Sequence, residues 1–424
     1  MAATGAREFE GAALRVAHVL RKYDPAAWGG TETHVVAVTS GLPAHGWLAE
    51  VHAPAGPTAP DRALPPEVAL HRYRAFCPFL GGAERRRGLY ASMGNIASFE
   101  EPLRLGRDRG LALAHAHTLG RIGGGVRAAM RLTGRPYVVS LHGPVLAGRE
   151  IIAALTARRL EGLWDLGRPL GLLLGARRVL DDAARVITFN DEERLLASAR
   201  VGDRAVRMDH GVDAERFRSG DAGRARMRWP ELGAAPVVAL LGRVDAQKNQ
   251  LLAVRAFARG APGDHRLALA GAETDPGYRA IVEREARALG IADRVHFLGN
   301  LDPRLEVPDL LARATLVIVP SMHEAFGLVV LEGWAAGRPV LFARASGLAD
   351  LGRALRDDSV SVPTLDERAW AAQVGRLLAS AGARRAAADA GAELVRSRFR
   401  WGVVVERLAE LYREVVREHR RRGG

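Results

Sequence analysis

Cysteine, lysine and long apolar runs are what this 424-residue chain has least of. Its one cysteine, Cys77, cannot close an intrachain disulfide, so oxidation contributes nothing to the fold and a reducing cytoplasm is the expected compartment. Only two of the 61 basic residues are lysines, Lys22 and Lys248; the others are arginines strewn along the whole length. The formal charge of +13 therefore reads as arginine-rich coding bias on a solvated surface. No zinc-finger or RNP-type pattern accompanies the charge, which argues against nucleic acid as a partner. Where arginine is the default cation, a lysine stands out as a choice of a compact, mobile ammonium. The longest apolar run, "LGLLLGA" near 170–176, falls far short of the roughly 18 residues that a membrane span requires. The first twelve residues lack the basic start and apolar centre of a signal peptide and are expected to form a loose tail. Hydrophobic residues make up 48% of the chain, and glycine plus proline stay below the roughly 25–30% of low-complexity sequences, so collagenous and disordered classes are excluded.

Short β-type runs alternate with longer helical patterns, the signature of βαβ units on parallel sheets. Strands are expected at 14–20, 111–117, 136–142 and 184–189, with a helix through "THVVAVTSGLPAHG" closed by Gly46 and long helical segments over about 149–183. The cycle then restarts with strands at 236–242, 265–271, 294–299, 314–320 and 339–343. Two successive α/β halves are the simplest account. Apolar periodicity lapses within 219–236, so the expected division is 1–218, 219–395 and a C-terminal helix over 396–424. That helix, "WGVVVERLAELYREVVREHRRR", reads as a packing element with a solvated basic end.

In the first half, the strand at 14–20 feeds Gly29 and Gly30 just before a helix start. A glycine pair there lets the backbone approach an anion, and the helix amides favour its charge, although glycine pairs also open helices for steric reasons alone. Thr31 is the expected cap and Glu32 suits the first turn. Gly123, Gly125 and Ala128 match a degenerate dinucleotide fingerprint, but the next strand ends in "SLHGP" with no acid for a ribose, which argues against a nicotinamide or flavin cofactor. His115 and His117 alternate along a strand, and no cysteine or H-E-x-x-H spacing joins them, so no metal is expected. His142 ends a strand at the edge where ligands bind in such sheets, which favours a functional reading.

In the second half, "LLGRVDAQKNQ" places Arg243 and Lys248 in the loop between a strand and a helix. An arginine fork and a lysine point charge together suit a diphosphate. Further on, Glu324 lies after a strand and Glu332 within the helix that begins near Gly327. Carboxylates accept hydrogen bonds from vicinal hydroxyls, and the amides from Phe326 through Gly327 to Leu328 can receive a phosphate or sugar oxygen; by spacing alone, two glutamates on one helical stretch are also ordinary.

Taken together, "GGTETHV", "SLHGP", "HGVDAERF" (210–217), "LGRVDAQKN" and above all "PSMHEAFGLVVLE" resemble the retaining GT-B glycosyltransferases of family GT4, and the resemblance covers the chain after its first dozen residues. It implies an α/β fold of two Rossmann-like domains facing across a cleft, with the last helix crossing back to the first domain. It implies a nucleotide-sugar donor, UDP- or GDP-linked, a hydroxyl acceptor and no metal or other cofactor. Carried over by motif, Arg243 and Lys248 hold the diphosphate, Glu332 the ribose and Glu324 the donor sugar, assisted by amides near Phe326, Gly327 and Leu328. Gly30, with Gly29 beside it, brings the first loop to the phosphates, and His142 contacts the sugar near the reacting carbon. Front-face attack is the implied route to retention. Two departures stand out: His210 replaces the usual asparagine before Gly-Val-Asp, and "ASGLAD", with Gly347 and Asp350, replaces a Gly-Gly pair with a glutamate, which leaves the donor sugar open. The alternatives are a nucleotide-sugar epimerase of the same plan, and a peripheral membrane enzyme or scaffold attached at the inner face through "AERRRGLY" (83–90) and the basic C-terminus.

Overall fold

A computed structural model describes residues 13–24, 29–56, 64–80, 96–143, 145–147 and 164–423. The expected N-terminal tail, the basic run 83–90 and the first part of the helical run at 149–183 lie outside the described residues. The chain forms two compact units, one of Met1–Met208 with Val404–Gly424 and one of Asp209–Val403. The expected seam was 218/219. Residues 209–218 join the second unit because Asp209 pairs with Arg398, and Val212 donates its amide to Phe399 at 2.7 Å.

The first unit carries β1 (Leu14–Val19), β2 (Trp47–Pro54), β3 (Ala69–Tyr73), β4 (Phe79–Leu80), β5 (Leu111–Ala116), β6 (Tyr137–Leu141), β7 (Trp164–Asp165), β8 (Arg185–Thr188) and β9 (Ala205–Arg207). Seven of them make one parallel sheet in the order β3-β2-β1-β5-β6-β8-β9, while β4 and β7 form a separate antiparallel pair. Helices cover both faces, so the central strands read as apolar runs rather than alternating ones. On one face Ala17, Val19, Tyr73, Leu105 and Met130 belong to a single buried cluster. On the other, Val51 and Ala53 pack with Val35 of helix Gly30–Gly41. The last helix, Trp401–Gly423, buries Val404, Val405, Leu408, Ala409, Tyr412, Val415 and Val416, and its Tyr412 hydroxyl bonds His115 of β5. Among the described residues no helix is long and apolar enough to cross a membrane.

The second unit carries β10 (Val237–Leu241), β11 (Arg266–Ala270), β12 (Val295–Gly299), β13 (Ala314–Val319), β14 (Val340–Ala343) and β15 (Ser361–Val362). They form a parallel sheet in the order β12-β11-β10-β13-β14-β15. In each unit the chain starts a sheet near its middle and later returns to the other side of that first strand. The resulting switch points, β1 beside β5 and β10 beside β13, are where α/β sheets open a crevice at the carboxyl ends of their strands.

Several expectations are corrected. The strands β2 and β3 occupy ground that periodicity left unassigned, because β2 carries Glu50 and His52 among its apolar residues. The described part of the run to 183 is not a long helix but the strand β7, the short helix Arg168–Leu173 and a 3-10 turn at Ala176–Arg178. Gly29, not Thr31, caps the first helix, and Thr33 Oγ1 donates back to the Gly29 carbonyl at 3.1 Å. The glycines of the dinucleotide look-alike sit inside helix Gly120–Leu132, where a Cβ on Gly123 would stand 2.5 Å from the Thr118 carbonyl; close packing explains them.

Candidate functional site

The second unit brings together most of the residues singled out in the sequence. Buried β10 delivers the chain into Gly242, whose φ of +147° suits glycine and whose Cβ position would touch the Lys248 stem at 3.2 Å. The loop that follows is tied down at several points. Asp245 Oδ1 accepts from the Lys248 amide at 3.1 Å, Asp245 Oδ2 lies 3.2 Å from the Arg243 guanidinium, and Gln250 Nε2 donates to the Arg243 carbonyl at 2.8 Å. Arg243, whose side chain is half exposed, also donates to Gln247 Oε1 at 3.3 Å. Lys248 is mostly buried, and its ammonium is bonded to Glu324, 76 residues away in the chain.

That contact arises because β10 and β13 are neighbours, so the loops at their carboxyl ends meet. Gln247 clamps the meeting: its Nε2 donates to the His323 carbonyl at 2.8 Å, and its own carbonyl accepts from the Met322 amide at 2.9 Å. A third loop, after β14, joins them. The Gly347 amide donates to the Glu324 carbonyl at 2.9 Å, and Ser346 Oγ lies 2.6 Å from His323 Nδ1. Helix Leu328–Ala335 then starts from Gly327, whose φ of +100° places it in the region that favours glycine; a Cβ there would lie 2.4 Å from Leu348. Phe326 is buried against Phe399, 6.0 Å between ring centroids. Leu328 opens the helix, so its amide is among those without an intrahelical partner.

Glu332 stands on the same helix, one turn and more beyond Leu328. Its pKa is raised: burial disfavours the carboxylate, opposed by the positive charges of Arg216 and Lys248. A carboxyl held in that way is suited to accept hydrogen bonds from ligand hydroxyls rather than to carry a solvated surface charge. His210 is buried with its Nδ1 3.0 Å from the Gly211 carbonyl and its ring 5.0 Å from that of Trp401, so this departure from the family pattern packs inside the second unit. Asp350 is buried in the first turn of helix Gly347–Leu355 and bonded to Arg353.

The first unit holds the remaining candidates. Gly29 and Gly30 lie at the start of helix Gly30–Gly41 after β1, and His142 follows β6. His142 Nε2 lies 2.7 Å from His117 Nδ1, and His117 Nε2 lies 2.9 Å from His18 Nδ1. His18 is fully buried, and its Nε2 has no hydrogen-bond partner among the described residues. An orphaned buried N–H is rarer than an orphaned acceptor, so the network places the His18 proton on Nδ1. His18 then donates to His117, His117 donates to His142 Nε2, and His142 keeps its proton on Nδ1. Burial keeps the inner rings neutral: it pushes His18 down to about 3, and likewise lowers His115 and His117. His142 is therefore arranged as a hydrogen-bond donor.

Sequence reasoning missed the supports. Asp245, Gln247, His323 and Ser346 sit inside the quoted motifs, yet their task is to join loops, and only the order of the strands reveals it. His18 gave a usable signal, since a histidine inside an otherwise apolar strand calls for a partner.

Comparison with known proteins finds matches in both units. Residues 235–380 match the family described as "Glycosyl transferases group 1", and residues 29–209 match "Glycosyl transferase 4-like domain". Among curated proteins, a D-inositol 3-phosphate glycosyltransferase of Acidothermus cellulolyticus is 32% identical over 330 residues, covering 72% of this chain and 67% of that protein. One from Nocardia farcinica is 33% identical over 336 residues, covering 74% and 68%. One from Salinispora tropica is 36% identical over 282 residues, covering 61% of this chain and only 56% of the relative, so the match spans little more than half of that protein. Among solved structures, sucrose-phosphate synthase from Thermosynechococcus elongatus superposes with a TM-score of 0.73 at 22% identity, covering 96% of this chain and 100% of that one. Anabaena Alr3699/HepE in complex with UDP and glucose gives 0.70 at 16% identity, covering 95% and 100%. At these identities the structural likeness speaks for the fold.

Proposed function

The chain belongs to the group 1 glycosyltransferases of GT4 type and has their GT-B fold, and from that premise we propose that it moves a sugar from a nucleotide diphosphate sugar to a hydroxyl acceptor. The observation that carries the reading is the convergence of Arg243, Lys248 and Glu324 at the switch point of the second sheet, with Glu332 on the adjoining helix. Transfer breaks the bond between the anomeric carbon and the diphosphate and sends its electron pair to the departing oxygen. Fixed cations at that oxygen lower the barrier, and Arg243 and Lys248 supply them without recourse to a metal. Glu324 takes a hydroxyl of the sugar and Glu332 the ribose, while the amides at Phe326, Gly327 and Leu328 receive ligand oxygens. Gly29 and Gly30 let the first loop approach the phosphates.

His142 acts here as a donor to the sugar, as its relay through His117 to His18 favours. The acceptor oxygen attacks from the face the diphosphate leaves, and its proton passes to the departing diphosphate, so configuration is retained. The donor is a UDP- or GDP-sugar; the names of the relatives and the UDP seen with Anabaena HepE make UDP-glucose and D-inositol 3-phosphate the first pair to assay.

A thermal-shift panel of UDP, GDP, ADP and their sugars tests the reading. A ligand present at 100 times its Kd stabilises by about 2.7 kcal/mol, a shift of a few degrees. UDP or GDP and their sugars should raise Tm. No shift with any of the panel at saturating concentration would remove the proposal.

A further inference from the structure

The edge of the first sheet carries a second cluster that glycosyl transfer does not use. Glu50 and His52 stand two residues apart on β2 and so share one face, and His71 of β3 pairs in register with His52. Glu50 Oε2 lies 3.3 Å from His52 Nε2 and 3.2 Å from His71 Nε2, and one ligand atom from each of the three residues falls within 4.8 Å of the others. Metal bonds of about 2.0–2.1 Å in a tetrahedral site separate neighbouring ligand atoms by about 3.4 Å. The two spacings centred on Glu50, direct contacts between carboxylate and imidazoles in this structure, also match that separation.

The surroundings point the same way. His52 Nδ1 lies 2.9 Å from Glu101 Oε1 of helix Glu100–Arg107, the arrangement in which a carboxylate behind a histidine fixes its tautomer and turns the other nitrogen toward a metal. Arg15 Nε donates to Glu50 Oε1 at 2.8 Å, which leaves Oε2 for the ion. Glu101 is 1% exposed, and its Oε2 has no hydrogen-bond partner among the described residues. His52 is 3% exposed and His71 33%, which gives the cluster an open side. The other histidine group, His18, His115 and His117, lacks such a set. Both nitrogens of His117 are taken by histidines, and both nitrogens of His115 by Tyr412 and Ser140.

We propose that Glu50, His52 and His71 form a site for one divalent transition-metal ion, with Zn2+ the favoured occupant, Glu101 and Arg15 as its orienting partners, and water completing the coordination. Two imidazoles and a carboxylate suit Zn2+ over Mg2+ or Ca2+, which prefer all-oxygen sets. The ion would tie the edge strand β3 to β2 and to the helix that carries Glu101. It takes no part in the transfer reaction and stands or falls independently of it.

The test uses the full chain, stripped with chelator and checked for folding by circular dichroism. Zn2+ is titrated in competition with a chromophoric chelator, and Co2+ is followed by its visible absorption. One equivalent should bind, with the intense visible bands of four-coordinate Co2+. His71→Ala, a change at the open side, should weaken binding at least tenfold, and Glu101→Gln about 10- to 100-fold. His18→Asn should leave the titration unchanged. The proposal is overturned if the folded wild-type chain binds no saturable equivalent, if His71→Ala binds as wild type, or if His18→Asn rather than His71→Ala removes the site. The wild-type stoichiometry and Co2+ spectrum decide the matter even where a variant folds poorly.

Discussion

Lys248 shows how much one side chain can be asked to do. In this structure its ammonium is neutralised by Glu324; under the proposed function, a donor diphosphate would draw the lysine away from that carboxylate and leave the carboxylate for the sugar. The exchange suits lysine, whose single charge sits on a flexible stem, better than the planar fork of arginine. Lys248→Ala is expected to lower kcat/KM by about 10²–10³-fold, the usual effect of removing one group that stabilises transition-state charge, with the fold intact. Initial rates and thermal melts check it, and wild-type turnover in the folded variant would end the phosphate-clamp assignment. Lys248 was legible in the sequence because lysine is so rare there. Its partner was not, because nothing local connects positions 76 residues apart.

Strands β1, β5 and β6 bring His18, His115, His117 and His142 into one line, and burial there carries a consequence for pH. The folded-state pKa of His18 lies near 3, below the usual 6.5, and those of His115 and His117 are lowered as well. On acidification the unfolded chain therefore binds protons before the folded one does. Stability is complete above about pH 6.5 and is lost as the pH falls from there toward the folded-state values, by up to about 1.4 kcal/mol per group for each pH unit. Urea unfolding of the first unit, measured in chelator at pH 7.5 and 5.5, should show lower stability at the lower pH. The loss from the three buried histidines outweighs the gain from His52, whose pKa is raised, against the pull of burial, to about 9 by its hydrogen bonds with Glu101 and Glu50. Equal midpoints at the two pH values would contradict the buried neutral cluster. The strands themselves were legible wherever apolar runs were bounded by glycine or polar residues, as at 237–241 and 314–319. The strand β2 was not, since Glu50 and His52 interrupt its apolar pattern and find their partners on β1, β3 and helix Glu100–Arg107.

The first unit depends on residues far from it in the sequence. Residues 404–424 belong to it although nearly 200 residues separate them from Met208, and Tyr412 bonds His115 and packs edge-on against Trp47, 5.3 Å between centroids. Seven side chains of that helix are buried. At about 1.5–3 kcal/mol for each of the six large apolar groups among them, their removal costs about 9–18 kcal/mol, on the scale of the 5–15 kcal/mol that holds a typical domain together. A chain ending at Val403 should lose the cooperative unfolding of its first unit while the second unit still unfolds cooperatively, as scanning calorimetry would show by the loss of one of two transitions. An unchanged first transition would refute the dependence.

The amphipathic pattern of that helix was plain in the sequence, as were the alternation of strands and helices and the placement of Arg243, Lys248, Glu324 and His142 after strands and of Glu332 within a helix. Those features are local: a run of apolar side chains, a glycine and a polar loop express themselves within a few residues. Which loops meet is a different matter. The contact of Lys248 with Glu324, the relay from His18 to His142 and the grouping of Glu50 with His52, His71 and Glu101 all follow from strand order and register. Those are settled only when sheets assemble and bury their faces, because a side chain's neighbours across a sheet are set by the whole packing and not by its place along the chain.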